Sequence, residues 1–137
     1  IEDVFYFPLI WFAHCWNLIK TSLDEITAQD KIPFSTKSLP ISSKDDVKRF
    51  FFTRAKWNSM EPAIHDWDLV LIKQQNEYNS TDKILLTHNW TPKIKYLKVK
   101  NGQYVLFSLN KDIDDFEISS KDEVEIIGVV KLIITNS

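Results

Sequence analysis

Glycine is nearly missing from this 137-residue chain, which has only Gly102 and Gly128. That is about a quarter or less of the share usual in globular proteins. With no glycine before residue 102, no Gly-rich phosphate loop is possible in the first hundred residues. Turns must be made with Asn, Asp, Ser and Pro, which are plentiful. A single cysteine, Cys15, excludes an internal disulfide and fits a reducing, cytoplasmic setting. An excess of positive charge is also lacking. The formal net charge of −2 argues against broad, charge-driven nucleic-acid binding. No clean apolar run of ~20 residues exists. The apolar stretch 4–19 is interrupted by Pro8, His14 and Asn17 and has no basic leader, so it reads as core or interface and no membrane is expected. His14, His65 and His88 show no metal-ligand spacing, and neither metal nor cofactor is expected.

What is present points to one domain rich in β-structure. Residues 1–46 read as an N-terminal arm and connection, and residues 47–137 as a β-rich core. Pro8 discourages a continuous helix, so an extended arm is expected over 1–20. The polar stretch 21–47 carries Pro33, Pro40 and a Ser-Ser-Lys-Asp-Asp run, with short extended pieces expected around 32–34 and 39–41. Strands are expected over 47–56, 69–72, 83–88, 93–100, 103–109 and 124–134. Asn101-Gly102 is the strongest hairpin signal. No segment after residue 47 has sustained helical periodicity, which leaves room for one helical turn after Ser59. A chain that starts with Ile and not Met is expected to be a fragment or a processed product.

Two places invite chemistry. Ser59 stands in the polar, Pro-containing turn 58–62, ahead of an acidic corner (Asp66, Asp68) and the apolar run 69–72. A small hydroxyl on a turn opening into a buried strand is held still yet stays reachable. Taken by itself, Ser59 reads first as a turn or N-cap serine and second as a nucleophile. Lys95 shares its strand face with Leu97 and Val99. Burial disfavours the ammonium, and a neutral lysine amine can take the proton of a serine hydroxyl. By pattern alone, the lysines at 93, 95, 98 and 100 read first as solvated decoration on a half-exposed strand.

Ser59-Met60-Glu61-Pro62, then Ile64-His65-Asp66-Trp67-Asp68-Leu69, then Ile94-Lys95-Tyr96-Leu97 follow in order. Leu106-Phe107-Ser108-Leu109-Asn110 and Ile126-Ile127-Gly128-Val129-Val130 complete the series. Together they resemble the S24 self-cleaving peptidase family, which includes the SOS repressor, lambda-type phage repressors and the UmuD polymerase subunit. The likeness covers about residues 47–131, and Lys95 stands 36 positions after Ser59. It implies a mainly β, LexA- or signal-peptidase-like fold of coiled antiparallel sheets with an extended N-terminal arm. It also implies Ser59 as nucleophile, Lys95 as general base, and Met60, Pro62, Asp66 and Asp68 as motif support. The family cuts its own chain at a small-residue bond, so Ala13–His14 becomes the candidate scissile bond. Implied partners are a second copy of the chain and the RecA–single-stranded DNA filament, with DNA reached only through a separate N-terminal domain. The same residues suit a cleavage-inactive dimerisation module, a UmuD-like subunit or, more remotely, a signal-peptidase relative. Trp57, Trp67 and Trp90 stand where the family usually or often has Gly, Asn58 where it usually has Asp, and His14 where the cleavage site has Gly. If those glycine positions need φ > 0, each tryptophan costs on the order of 1–2 kcal/mol.

Overall fold

The computed structural model describes residues 3–26, 30–37 and 39–135. Among these residues, nine strands form one sheet in the order β2-β1-β3-β4-β9-β5-β6-β7-β8. They are β1 (Val4–Leu9), β2 (Asp30–Ser35), β3 (Phe50–Arg54), β4 (Leu69–Gln74), β5 (Ile84–His88), β6 (Thr91–Lys100), β7 (Gln103–Phe107), β8 (Phe116–Glu117) and β9 (Val124–Ile134). The fold is mainly β, as expected, and the pairings are antiparallel except for a single parallel contact, Leu9 on β1 against Phe52 on β3. Among the described residues, no helix is long and apolar enough to cross a membrane.

The run Phe50-Phe51-Phe52 shows why the central strands carry no polar face. Phe51 joins one apolar cluster with Val70, Ile72, Leu85, Ile94 and Ile127. Phe50 and Phe52 join Phe7, Leu69 and Leu71 on the opposite side. Farther along, Ile84, Leu86, Leu97 and Leu106 make a third cluster. Side chains alternate along a strand, so a strand buried on both faces must be apolar throughout. β9 is the spine between β4 and β5, and it slips register against each partner. Such bulges add local twist and let one strand serve two differently oriented neighbours. Gly128 sits between them, where a Cβ would run into the Lys73 carbonyl oxygen and come within 2.7 Å of Ile72 Cγ2.

The N-terminal segment departs from the extended arm expected for it. Val4–Leu9 is extended and pairs with β2 along its length, but Phe12–Ile19 is a 3₁₀ helix. Its buried residues, Phe12, Cys15 and Leu18, recur every third position. A 3₁₀ helix has three residues per turn, so this spacing makes a single inward stripe against the first cluster. Pro8 did exclude a continuous helix, because it lies in β1, where it pairs with Lys31. Other local expectations shift slightly. The piece around 32–34 is part of β2, whereas 39–41 is irregular and packs Leu39 and Ile41 on the second cluster. Residues 46–49 are a short 3₁₀ turn. The stretch after Ser59 is a series of turns without an assigned helix.

Candidate functional site

Ser59 lies in the loop that joins β3 to β4, and the acidic corner fixes how that loop leaves the sheet. Asp66 Oδ1 accepts the Trp57 N–H at 2.7 Å, and Asp68 Oδ2 accepts the His65 N–H at 2.8 Å. Asp68 is itself only 1% exposed. The Ala55 N–H donates to the Asp68 carbonyl at 2.8 Å, and the Trp67 N–H to the Ala55 carbonyl at 2.7 Å. These bonds close the loop at its base, and Met60, 2% exposed, anchors its tip in the first cluster. Pro62 is exposed on the outer turn, after a cis Glu61–Pro62 peptide. The motif residues around Ser59 are thus anchors of backbone shape.

Trp57, Trp67 and Trp90 have φ of 74°, 75° and 71°. All three occupy the left-handed region that glycine tolerates and side chains resist. Contacts elsewhere hold two of the rings. Trp67 lies 6.3 Å from the Trp11 ring, with Lys56 Nζ 4.1 Å from its centroid. Trp90 meets the Trp16 ring edge-on at 6.4 Å, with Lys20 Nζ over it at 5.4 Å. Trp57 is 71% exposed and stands two residues from Ser59.

Lys95 is on β6 opposite Ile84, which is fully buried. The half-buried ammonium is desolvated, and the nearby charge of Lys93 adds repulsion, so its pKa lies below the ordinary lysine value. Val99, expected to share this apolar face, is 62% exposed, because the cover ends at Leu97. Lys95 Nζ donates to Ser108 Oγ at 2.6 Å. The Ser59 hydroxyl donates to the Ile94 carbonyl at 3.5 Å, the residue just before Lys95. Ser59 and Lys95 are therefore neighbours, but no hydrogen bond joins them in this arrangement.

The link between them is the segment after β7, a motif to whose residues the sequence alone assigns no role. The Asn110 N–H donates to the Ser59 carbonyl at 2.9 Å, and Asn110 Nδ2 donates to the Asn58 carbonyl at 2.9 Å. The Leu109 N–H donates to Met60 Sδ at 3.4 Å. Ser108 and Asn110 are thus two positions apart, one reaching the lysine and the other strapping the serine turn. The Leu-x-Ser-x-Asn run was the available signal. Its polar residues stand at alternate positions at the end of a strand, so they leave the sheet on one side.

Ala13 and His14 are both exposed and lie within the 3₁₀ helix, where the His14 N–H donates to the Trp11 carbonyl at 2.8 Å. The scissile-bond candidate is therefore helical here and not extended. Cys15, beside it, is fully buried, and burial pushes its thiol up to about 12. A thiol so strongly protonated is a packing group and not a nucleophile. Among the described residues, no three His, Cys, Asp or Glu side chains are grouped to hold a metal ion.

No curated protein matches the chain. A family model does: Peptidase S24-like, over residues 16–131, which takes in Ser59, Lys95, Ser108 and Asn110. With a mainly β fold and a match over most of its length, this chain belongs to the S24-like family of serine peptidases.

Proposed function

We propose that this domain is a self-cleaving Ser–Lys peptidase of a phage-type or SOS-type transcriptional repressor. Ser59 is the nucleophile, Lys95 the general base, and the cut falls near Ala13–His14. The observation that carries the reading is the state of Lys95. It is half-buried, its pKa is lowered, and its hydrogen-bond partner is a neutral hydroxyl and not a carboxylate. A carboxylate partner would hold the lysine charged, whereas desolvation beside a hydroxyl favours the neutral amine that a general base must be.

In the reaction, the Ser59 hydroxyl turns from the Ile94 carbonyl toward Lys95 Nζ and gives up its proton as Oγ attacks the scissile carbonyl carbon. The protonated Lys95 then donates to the leaving amine as the C–N bond breaks, leaving an ester on Ser59. Water, deprotonated by Lys95, hydrolyses that ester and restores the serine. Cleavage at Ala13–His14 also requires the 3₁₀ helix to open, since a peptidase cleft takes its substrate extended. The stripe of Phe12, Cys15 and Leu18 opposes that opening, so a partner that frees the helix would switch the reaction on. The RecA–single-stranded DNA filament, which serves this purpose in the family, is the proposed partner.

The pH dependence has a definite sign. Protonated Lys95 cannot accept the serine proton, so cleavage rises with pH until the lowered lysine pKa is passed. Intact-mass analysis after incubation at rising alkaline pH should show a fragment beginning at His14. Ser59→Ala and Lys95→Ala should reduce its rate by at least about a hundredfold, the usual scale for losing a positioned base. An equal yield from Lys95→Ala, or no fragment at any pH, would overturn the reading.

A second reading is favoured by the three tryptophans at positive φ and by the separation of Ser59 from Lys95: a homodimerisation module of a repressor, retained after cleavage was lost. A dimer in sedimentation that resists cleavage at every pH would select it.

A further inference from the structure

On the face of β5 and β6 that carries Lys95 lies a chain of polar groups that the peptidase reading does not use. His88, at the end of β5, is 7% exposed, with the Phe116 ring 4.6 Å from its own. Its Nδ1 is 3.1 Å from Lys93 Nζ, and its Nε2 is 3.1 Å from Asp122 Oδ1. A lysine ammonium can only donate, so Nδ1 accepts, the imidazole is neutral, and Nε2–H donates to Asp122. Asp122 is fixed in turn. Oδ1 also accepts from Asn89 Nδ2 at 3.0 Å, and Oδ2 accepts the Ser119 N–H at 2.8 Å and its hydroxyl at 3.0 Å. These donors hold its carboxyl well below the usual range.

Lys93 and Lys95 are two residues apart on a regular stretch of β6, facing Leu86 and Ile84 on β5, so they share a face. We propose that Lys93, held through His88 by Asp122, is a positioning residue that keeps a positive charge beside Lys95 and so poises it as a base. This proposal rests on the role given above to Lys95. A lysine free in solvent would swing away and lose its effect, while one paired directly to a carboxylate would have its field cancelled. The neutral imidazole avoids both outcomes, because it accepts the ammonium's hydrogen bond and sets the carboxylate one ring farther from Lys95. Lys83 and Lys98, the other nearby cations, lie over the Tyr96 ring on the opposite face of the strand. On this side Asp122 is an anion beyond the ring. Tyr78 packs on the cluster of Ile84, Leu86 and Leu97, with its phenol pushed up by burial and so uncharged, and Tyr104, opposite Val99, is half-exposed.

The test has two readouts. The first is the rate of self-cleavage against pH. Lys93→Met, which keeps the length of the stem and removes the charge, should slow cleavage about threefold at neutral pH and leave it unchanged above the titration of the base. Lys93→Arg should restore the wild-type profile. The second is the titration of the Lys95 amine itself, followed by NMR on protein carrying ¹⁵Nζ-labelled lysine and assigned with Lys95→Arg. Lys93→Met should move that titration to higher pH, and His88→Leu should move it the same way by less. If the Lys95 titration is identical in wild type and Lys93→Met, the proposal is overturned, whatever the cleavage rates. If the titration moves while no variant cleaves, the electrostatic coupling stands and the peptidase reading falls.

Discussion

The two ends of β6 are closed by the same turn made from different residues. Asn101-Gly102, leading into β7, has φ of 54° and 78°, and Asn89-Trp90, leading in from β5, has φ of 50° and 71°. In each case the flanking residues pair directly, Lys100 with Gln103 and His88 with Thr91. Both are therefore two-residue hairpin loops with two positive φ values, the shape whose twist matches right-twisted strands. Asn is tolerated at the first position of each. At the second, a Cβ on Gly102 would meet nothing within 4 Å, so glycine is suited there by conformation alone. Trp90 is held in that conformation at a local cost, and its ring meets Trp16 and Lys20 from the N-terminal segment. The turn geometry belongs to the strands. The residue at its tip is free to serve another end, and at Trp90 that end is tying the 3₁₀ helix to the β5–β6 hairpin.

This contrast can be broken in several ways. The largest effect is expected at the other glycine, where space and not φ is decisive. Gly128→Ala forces a methyl against the Lys73 carbonyl and Ile72, and should destabilise by about 3 kcal/mol in urea denaturation, the upper range for overpacking. An effect below a few tenths would mean that the β9 bulges relax freely. Exchanging the hairpin tips comes next. Gly102→Trp should cost about 1–2 kcal/mol, the strain of a side chain at φ 78° where its Cβ meets nothing within 4 Å. Trp90→Gly should be nearly neutral in the wild type yet stabilising once Trp16→Ala has removed the edge-on contact, an interaction worth about 0.5–1.5 kcal/mol. Identical effects of Trp90→Gly in both backgrounds would dissociate strain from packing. Smallest is Trp57→Gly. It relieves the strain of a mostly exposed tryptophan at φ 74°, against a gain in unfolded-chain freedom of about 0.5–1 kcal/mol. A net stabilisation of about half a kcal/mol is expected, and a loss of stability would show that the exposed ring has a partner.

The strands of the core were legible because short apolar, β-branched runs bounded by turn residues are local properties. Residues 124–134 were read with the bounds observed for β9, and Asn101-Gly102 announced its hairpin. The 3₁₀ helix was not legible. Phe12, Cys15 and Leu18 are three apart in a short, aromatic-rich run, and a threefold stripe has meaning only once a sheet lies beneath it. The second hairpin was missed for a related reason: Asn-Trp is not a turn signal, and its conformation is imposed by β5 and β6. At the candidate site, Ser59 and Lys95 could be named from their motifs. Their separation by hydrogen bonding, and the parts played by Ser108 and Asn110, could not.

The sequence by itself determined the class of fold and the ordered motifs of the family, because short apolar runs and motif order are written along the chain. It also determined that the turns would be made almost without glycine. Only the tertiary structure decided which polar groups meet. Ser108 reaches Lys95, Asn110 straps Ser59, and Asp122 lies behind His88 and Lys93 because β5, β6, β7 and the loop before β9 converge there. The state of Lys95 follows from that convergence, since desolvation and the field of a neighbouring charge depend on distance through space and not on distance along the chain.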